Sequence, residues 1–376
     1  MKPRRHCRGL TLVELLVSIS IGLVVVGALV ALYLSTARSY RQLDALAQLQ
    51  SNARYVFEIM GYDIRMAGNM TCHVPGQTRA ANFVSNYRNN WWSDTSQPLF
   101  GQDETADSNA KGDSNFKPDY KDNALRGDTL IVLRANADET IGKVGSYDLG
   151  DGAVPFSDPT NTGFKNGRLL LLSDCLKQAA VFQKTGPADP SDMSPIEHDR
   201  NCKANLQVSN LNPDSPSGSC PTGGGTQAMS GAKLLPLSAN AYYLRESPYK
   251  YPNSNQKIPS LFRQTLTTSG NAPATTAEEL VSGVTDLQIL YGVDSSASPT
   301  GVIDSYLSAS QVNAAGYDWS DPRRVLAVRV TVTLESQDDN VSADSRSFTL
   351  GNGTVISDRR LRRSYTMTFG LRQRLS

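Results

Sequence analysis

The sequence predicts an α+β protein: a long amino-terminal helix, membrane-spanning in its first half, packed on a carboxyl-terminal antiparallel β-sheet domain with long loops. Two observations predict it. From Leu10 to Ala37 the only charged side chain is Glu14, and helical periodicity then continues to Ala67. From about Met70 onward the pattern turns to short apolar or alternating runs between polar stretches rich in Gly, Pro, Ser and Asn.

The first nine residues carry Lys2, Arg4, Arg5 and Arg8 and no acid. At a rise of ~1.5 Å per residue, Leu15 to Ala37 spans roughly 35 Å, enough for a hydrocarbon core of about 30 Å. The cations crowd one flank, which keeps the amino terminus cytoplasmic and sends the rest across the inner membrane. An ordinary secretory signal has a shorter apolar region, so the expectation is retention of the segment. Glu14 is the anomaly. An unpartnered carboxylate in lipid costs a few kcal/mol and usually marks a function; its bland alternative is an acid resting at the interface.

Past the membrane, Leu46, Leu49, Ala53, Val56, Phe57, Met60, Ile64 and Ala67 recur at three- or four-residue steps, with Arg41, Asp44, Gln48, Arg54, Asp63 and Arg65 on the polar side. No proline lies between Pro3 and Pro75, and Gly68-Asn69 is the expected stop. Gly22 and Gly27 are soft points, at ~1 kcal/mol each.

The expected strands are 128–134, 168–173, 179–183, 241–245, 261–266 and 284–291, a clearly alternating one at 324–335 and its partner at 362–374. A short strand is expected at 347–350. Two long loops, 85–126 with Trp91-Trp92 and 185–232 with Gly223-Gly224-Gly225, exceed the usual connection length. On the last strand, Arg360, Arg362, Arg372 and Arg374 share one parity opposite Tyr365, Met367, Phe369 and Leu371. They form either a solvated edge that discourages strand pairing or a docking face for an acidic neighbour or DNA phosphates.

Five cysteines occur, with Cys7 before the apolar run. Cys72, Cys175, Cys202 and Cys220 remain, an even number in an exported chain, which points to two disulfides with three possible connectivities. Zinc is disfavoured because no C-x-x-C occurs and His73 and His198 are the only histidines beyond the first nine residues. Four of the 37 Lys and Arg precede Leu10, leaving 33 against 36 acids, so the chain is no globally basic polymer binder. No G-x-S-x-G, H-E-x-x-H or Walker-type pattern appears, and the expectation is a non-enzyme without cofactor or metal. Asp103, Glu104, Asp107 and Asp113 lack the spacing of a calcium loop and read as solvated.

Basic residues, Gly9, an apolar residue, Thr11-Leu12-Val13, Glu14 and an apolar helix resemble the class III signal of type IV prepilins and type II secretion pseudopilins. The resemblance implies cleavage between Gly9 and Leu10 by a prepilin peptidase, methylation of Leu10 where Phe is usual, and pairing of Glu14 with the terminal amine of a neighbouring subunit. Major pilins often carry a kinking proline at the place of Ala31. Asp63-Ile64-Arg65-Met66-Ala67-Gly68 followed by Cys72, the run 173–183, the run 281–294 and the basic block 359–374 resemble PilW-type minor pilins, akin to pseudopilin J. The implied division is a leader 1–9, a transmembrane assembly helix 10–37, its amphipathic continuation 38–68 and a periplasmic β-rich domain 69–376. The implied role is type IV pilus assembly within a priming or tip complex. Its partners would be other minor pilins, the major pilin, the peptidase and the inner-membrane assembly platform, with the chain passing from inner membrane to pilus. A secretion pseudopilin is the alternative, as is a membrane-anchored module for adhesion or DNA uptake.

Overall fold

The computed structural model describes residues 11–70, 79–82, 84, 90–95, 97–103, 127–136, 141–144, 153–154, 164–173, 178–188, 195–198, 232–252, 254–319, 321–342, 344–351 and 353–372. Helix α1 (Leu12–Arg65) leads. After it come β1 (Arg79–Asn82), β2 (Leu99–Gln102), β3 (Thr129–Ala135), β4 (Ile141–Lys143), β5 (Ala153–Val154), β6 (Leu169–Ser173), β7 (Gln178–Gln183), β8 (Ile196–Glu197) and β9 (Lys233–Lys250). Then follow β10 (Lys257–Ser269), β11 (Ala272–Ser282), β12 (Val284–Val293), β13 (Ser305–Leu307), α2 (Ala309–Ala314), β14 (Val325–Glu335), β15 (Arg346–Thr349), β16 (Val355–Asp358) and β17 (Arg362–Gly370).

α1 starts and stops where local chemistry directs it. Thr11 is the N-cap, and at the other end Gly68 takes φ +73°, a conformation that glycine enters without a Cβ penalty. The Gly68 amide then donates to the Leu133 carbonyl at 2.9 Å, so the chain leaves the helix directly onto the sheet. The expected span 10–67 thus shortens to Leu12–Arg65.

The larger sheet has nine strands, and β9 is its spine. Its first residues pair with β4 and β6, its middle with β3, and its second half with β10. Sequence periodicity points to a strand only at 241–245, because Pro236, Asn240 and Pro248 interrupt the pattern. Two of them are accommodated: Pro236 sits where β9 pairs with Leu170, and Asn240 directs its amide to a buried acid described below. β11 was not expected. It closes a hairpin with β10 in which Ser269 faces Ala272 across Gly270-Asn271, and Gly270 supplies the positive φ that so short a loop needs.

The second sheet runs β13-β12-β14-β17. Val328, Val330, Val332 and Leu334 of β14 are fully buried and face α1, as their alternation predicts. The core joins Leu49, Ala53, Val56, Phe57, Met60 and Ile64 of α1 to both sheets. Phe57 meets Phe369 of β17 at 6.3 Å, and a Cβ on Gly61 would collide with the Phe369 ring, so glycine there is what lets helix and strand approach. The expected core face of β17 holds only in part. Phe369 and Leu371 are buried and Tyr365 is half-buried, but Met367 is 45% exposed.

Candidate assembly site

At the head of α1, Thr11 Oγ1 accepts the Glu14 amide at 3.3 Å, and Glu14 Oε2 accepts both the Thr11 amide and the Thr11 hydroxyl at 3.2 Å. This reciprocal capping box satisfies amides that have no partner inside the helix and sets the carboxylate at the positive end of the helix dipole. Glu14 is therefore held by its own helix terminus.

Behind it, the apolar half of α1 is open to its full length among the described residues. Leu12 is 75% exposed and every large apolar side chain as far as Leu34 stays open. Three hydroxyls in this stretch are internally bonded: Ser18 donates to the Glu14 carbonyl at 2.7 Å, Ser20 to Leu16 at 2.8 Å and Thr36 to Leu32 at 2.9 Å. Such satisfaction is what a segment without water requires. α1 is the one helix among the described residues long and apolar enough to cross a membrane.

The second half of α1 is tied to the domain by a buried polar knot. Asp63, expected on the polar face, is only 2% exposed. Its Oδ1 accepts Arg134 Nε at 2.9 Å, while its Oδ2 accepts Asn240 Nδ2 and the Tyr242 hydroxyl, each at 2.6 Å. Arg134 also lies 4.8 Å over the Tyr62 ring. Burial, reinforced by the Asp63 charge, pushes the Tyr242 phenol well above its ordinary range, so it stays a donor. A sequence cue existed: Asp63 follows Met60 by three and precedes Ala67 by four, placing an acid on the apolar stripe.

Of the expected face of Arg360, Arg362, Arg372 and Arg374, the first two are drawn elsewhere. Arg362 is 8% exposed and turns inward to Glu335 and Asp358, the latter at 2.5 Å. Its buried neighbour Glu335 lies directly opposite in the β14–β17 register, and that carboxylate draws the guanidinium in. Burial raises the Glu335 carboxyl against the pull of Arg362, whereas Asp358, more open, is held down by Arg362 despite its own burial. Arg360 stacks over Tyr251 at 3.7 Å and donates to the Ser336 and Gln337 carbonyls. Arg372 is exposed, and Arg374 lies outside the described residues. So do Gly9, Leu10, Cys72, Cys175, Cys202 and Cys220.

Where α1 leaves its apolar half, a polar cleft of about 890 Å³ opens between Arg41, Asp44 and Gln48 of the helix and the 336–341 segment. Gln42 crosses beside it to the Val341 carbonyl at 3.1 Å. Elsewhere Asp103 caps α2, accepting the Ala309 and Ser310 amides at 2.7 and 3.0 Å, which gives that acid a structural role. Trp91, from the first long loop, is buried in the core.

Two comparisons bear on this layout. Residues 4–30 match the prokaryotic N-terminal methylation motif, which spans the capped Glu14 and the open apolar half of α1. Residues 241–373 match Type IV Pilus-assembly protein W, covering the end of β9 through β17. Together the two matches are consistent with a minor pilin of the PilW type. No curated protein and no solved structure matches the chain. The portion matched to that family includes much of what grips the helix: β14 and β17, whose sheet packs under α1 with Phe369 against Phe57 and Gly61, and Tyr242, which donates to Asp63. The matches support a role in type IV pilus assembly, with α1 suited to membrane anchoring and to interaction with other pilus components.

Proposed function

We propose that this pilin acts in a priming or tip complex of the pilus, non-enzymatically, with its β-domain on the periplasmic side before assembly. One observation carries the reading. A single unbroken helix has one half wholly exposed and apolar, headed by a carboxylate, and the other half locked into a folded domain. Such a half-exposed helix is a solvent problem in isolation and is solved by lipid first and by neighbouring helices after extraction. Removal of nine residues would make Leu10 the terminus, one residue before the amide and hydroxyl that Glu14 already accepts. Beyond those bonds to Oε2, the carboxylate has further lone pairs to offer a neighbour's terminal ammonium, the partner that makes its charge tolerable in a dry setting. The neighbours would be other minor pilins and the major pilin, delivered through the peptidase and the inner-membrane platform.

Mass spectrometry of the mature protein should find a methylated Leu10 at the amino terminus; an intact Met1 rejects the processing. Glu14→Ala should leave a cleaved, membrane-inserted protein that enters pilus complexes poorly. Normal incorporation of that variant rejects the pairing role.

A further inference from the structure

β17 is an edge that nothing among the described residues covers. It pairs with β14 on one side, in unbroken register from Arg362 opposite Glu335 to Gly370 opposite Ala327. Flanking bonds fix which backbone groups face where: the Leu371 amide donates to the Leu326 carbonyl at 3.0 Å, and the Leu361 carbonyl accepts the Ser336 amide at 2.9 Å. Odd-numbered residues therefore bond to β14, and the amides and carbonyls of Ser364, Thr366, Thr368 and Gly370 point to the open side.

Edges are ordinarily blunted by proline, a bulge or an inward-pointing charge. From Ser364 to Leu371 this one has none of them, since the register carries no shift and the only inward arginine, Arg362, is neutralised at the strand's start. Three of the outward hydroxyls are already satisfied within the sheet, Ser364 by Thr333 and Thr366 by Thr331, both at 2.8 Å, with Thr368 accepting from Arg329 at 3.3 Å. The sheet is thus internally complete, and the backbone edge is what remains unmatched. On the helix side of the same strand, Met367 lies open beside Tyr365, an apolar step that a further strand would cover.

We propose that β17 receives an extended segment of a neighbouring, non-identical pilin subunit by β-strand addition, a surface that rests on the minor-pilin reading above. Location favours such an occupant. Phe369 packs under Phe57 and Arg65 of α1, so the open edge flanks the helix that carries assembly. Charge selects its chemistry: the uncharged stretch 364–371 lies between exposed Arg363 and exposed Arg372, which suits a segment uncharged in its middle and acidic at its ends. A second copy is disfavoured by the same residues. Antiparallel β17–β17 pairing would set the cationic ends of the two copies, Arg363 and Arg372, beside one another with no acid in the uncharged stretch 364–371 to offset them.

The parity of the edge supplies the test. Proline at Thr366 or Thr368 removes an outward amide and leaves the β14 ladder intact, whereas valine at Thr366 keeps the amide. A photo-crosslinking benzoylphenylalanine in place of Met367, in the full chain in piliated cells, should form an adduct whose peptide maps to a different pilin subunit. Thr366→Pro and Thr368→Pro should each abolish that adduct with little change in the unfolding midpoint of the detergent-solubilised protein, and Thr366→Val should retain it. An adduct that survives both prolines, an adduct to a second copy of this chain, or no pilin adduct at all overturns the proposal. Glu14→Ala separates the two readings: poor incorporation of that variant beside an adduct indifferent to both prolines overturns strand addition alone.

Discussion

Replacing Asp63 by Ala tests how α1 is held. The carboxylate is the common acceptor for Arg134, Asn240 and Tyr242, at 2.9, 2.6 and 2.6 Å. Its side chain is 3% exposed and that of Arg134 10%, so screening by solvent is slight. Removing one partner of a buried ion pair costs about 3–5 kcal/mol because the other charge is left without compensation. The orphaned amide and phenol push the cost toward the upper end. For a domain of this size about 1 kcal/mol moves the midpoint by ~2–4 °C, so Asp63→Ala should lower it by roughly 10–15 °C. Circular dichroism of the detergent-solubilised chain reads the shift. The double variant Asp63→Leu with Arg134→Leu should be milder than either single change, since no charge is left buried. A shift under about 2 °C for Asp63→Ala, or a double variant as unstable as the sum of the singles, refutes the knot as the helix anchor.

Gly61→Val should destabilise by about 1–3 kcal/mol or more through collision with Phe369, and Phe369→Ala in the same chain should relieve part of it, as measured by chemical denaturation. Two titrations of opposite sign should appear in thermal melts against pH. Burial opposes ionisation of Asp294, yet bonds from Ser296, Thr300 and Gly301 hold its carboxyl well below the usual range, so its contribution is full above about pH 5 and drains as pH falls; Asp294→Asn should flatten the acid limb. Glu335 is raised by burial, so its contribution is full below the ordinary carboxyl range and is lost as pH rises through its raised value; Glu335→Gln should remove that decline. Thiol counting on protein isolated from the periplasm should find Cys72, Cys175, Cys202 and Cys220 oxidised, and reduction should cost up to about 3 kcal/mol per bridge.

Much of the fold was legible because one-dimensional patterns encode it directly. The apolar run, the heptad-like stripe from Leu49 to Ala67 and the alternation of β14 each report burial on one face. β11 was illegible because six of the eight residues from Ala272 to Glu279 are Ala, Pro or Glu, types depleted in strands, and only Thr275 and Thr276 favour one; it is a strand because β10 and a two-residue hairpin loop impose it. The inward turn of Arg362 was hidden for a related reason. Strand parity assigns a face, but a buried acid on the neighbouring strand decides whether a guanidinium on that face is solvated or neutralised. Glu14 stood out as the sole charge in its segment, whereas its bond to Thr11 needed the helix start to be located to the residue.

The continuity of α1 makes it a transmission shaft. With no proline and no interruption from Leu12 to Arg65, the azimuth of any side chain in the membrane half is fixed relative to the domain. At ~3.6 residues per turn, Glu14 and Phe57 are separated by about twelve turns, so the carboxylate emerges on nearly the same side as the contact with β17. A neighbour that paired with Glu14, as proposed above, would thereby be brought round to the flank where Phe369 and the rest of β17 lie. One alanine inserted near Ser39 would swing the two ends apart by about 100°, whereas seven would return them to within roughly 20° while lengthening the shaft by about 10 Å. Docking in this protein is accordingly a question of rotational phase as much as of reach.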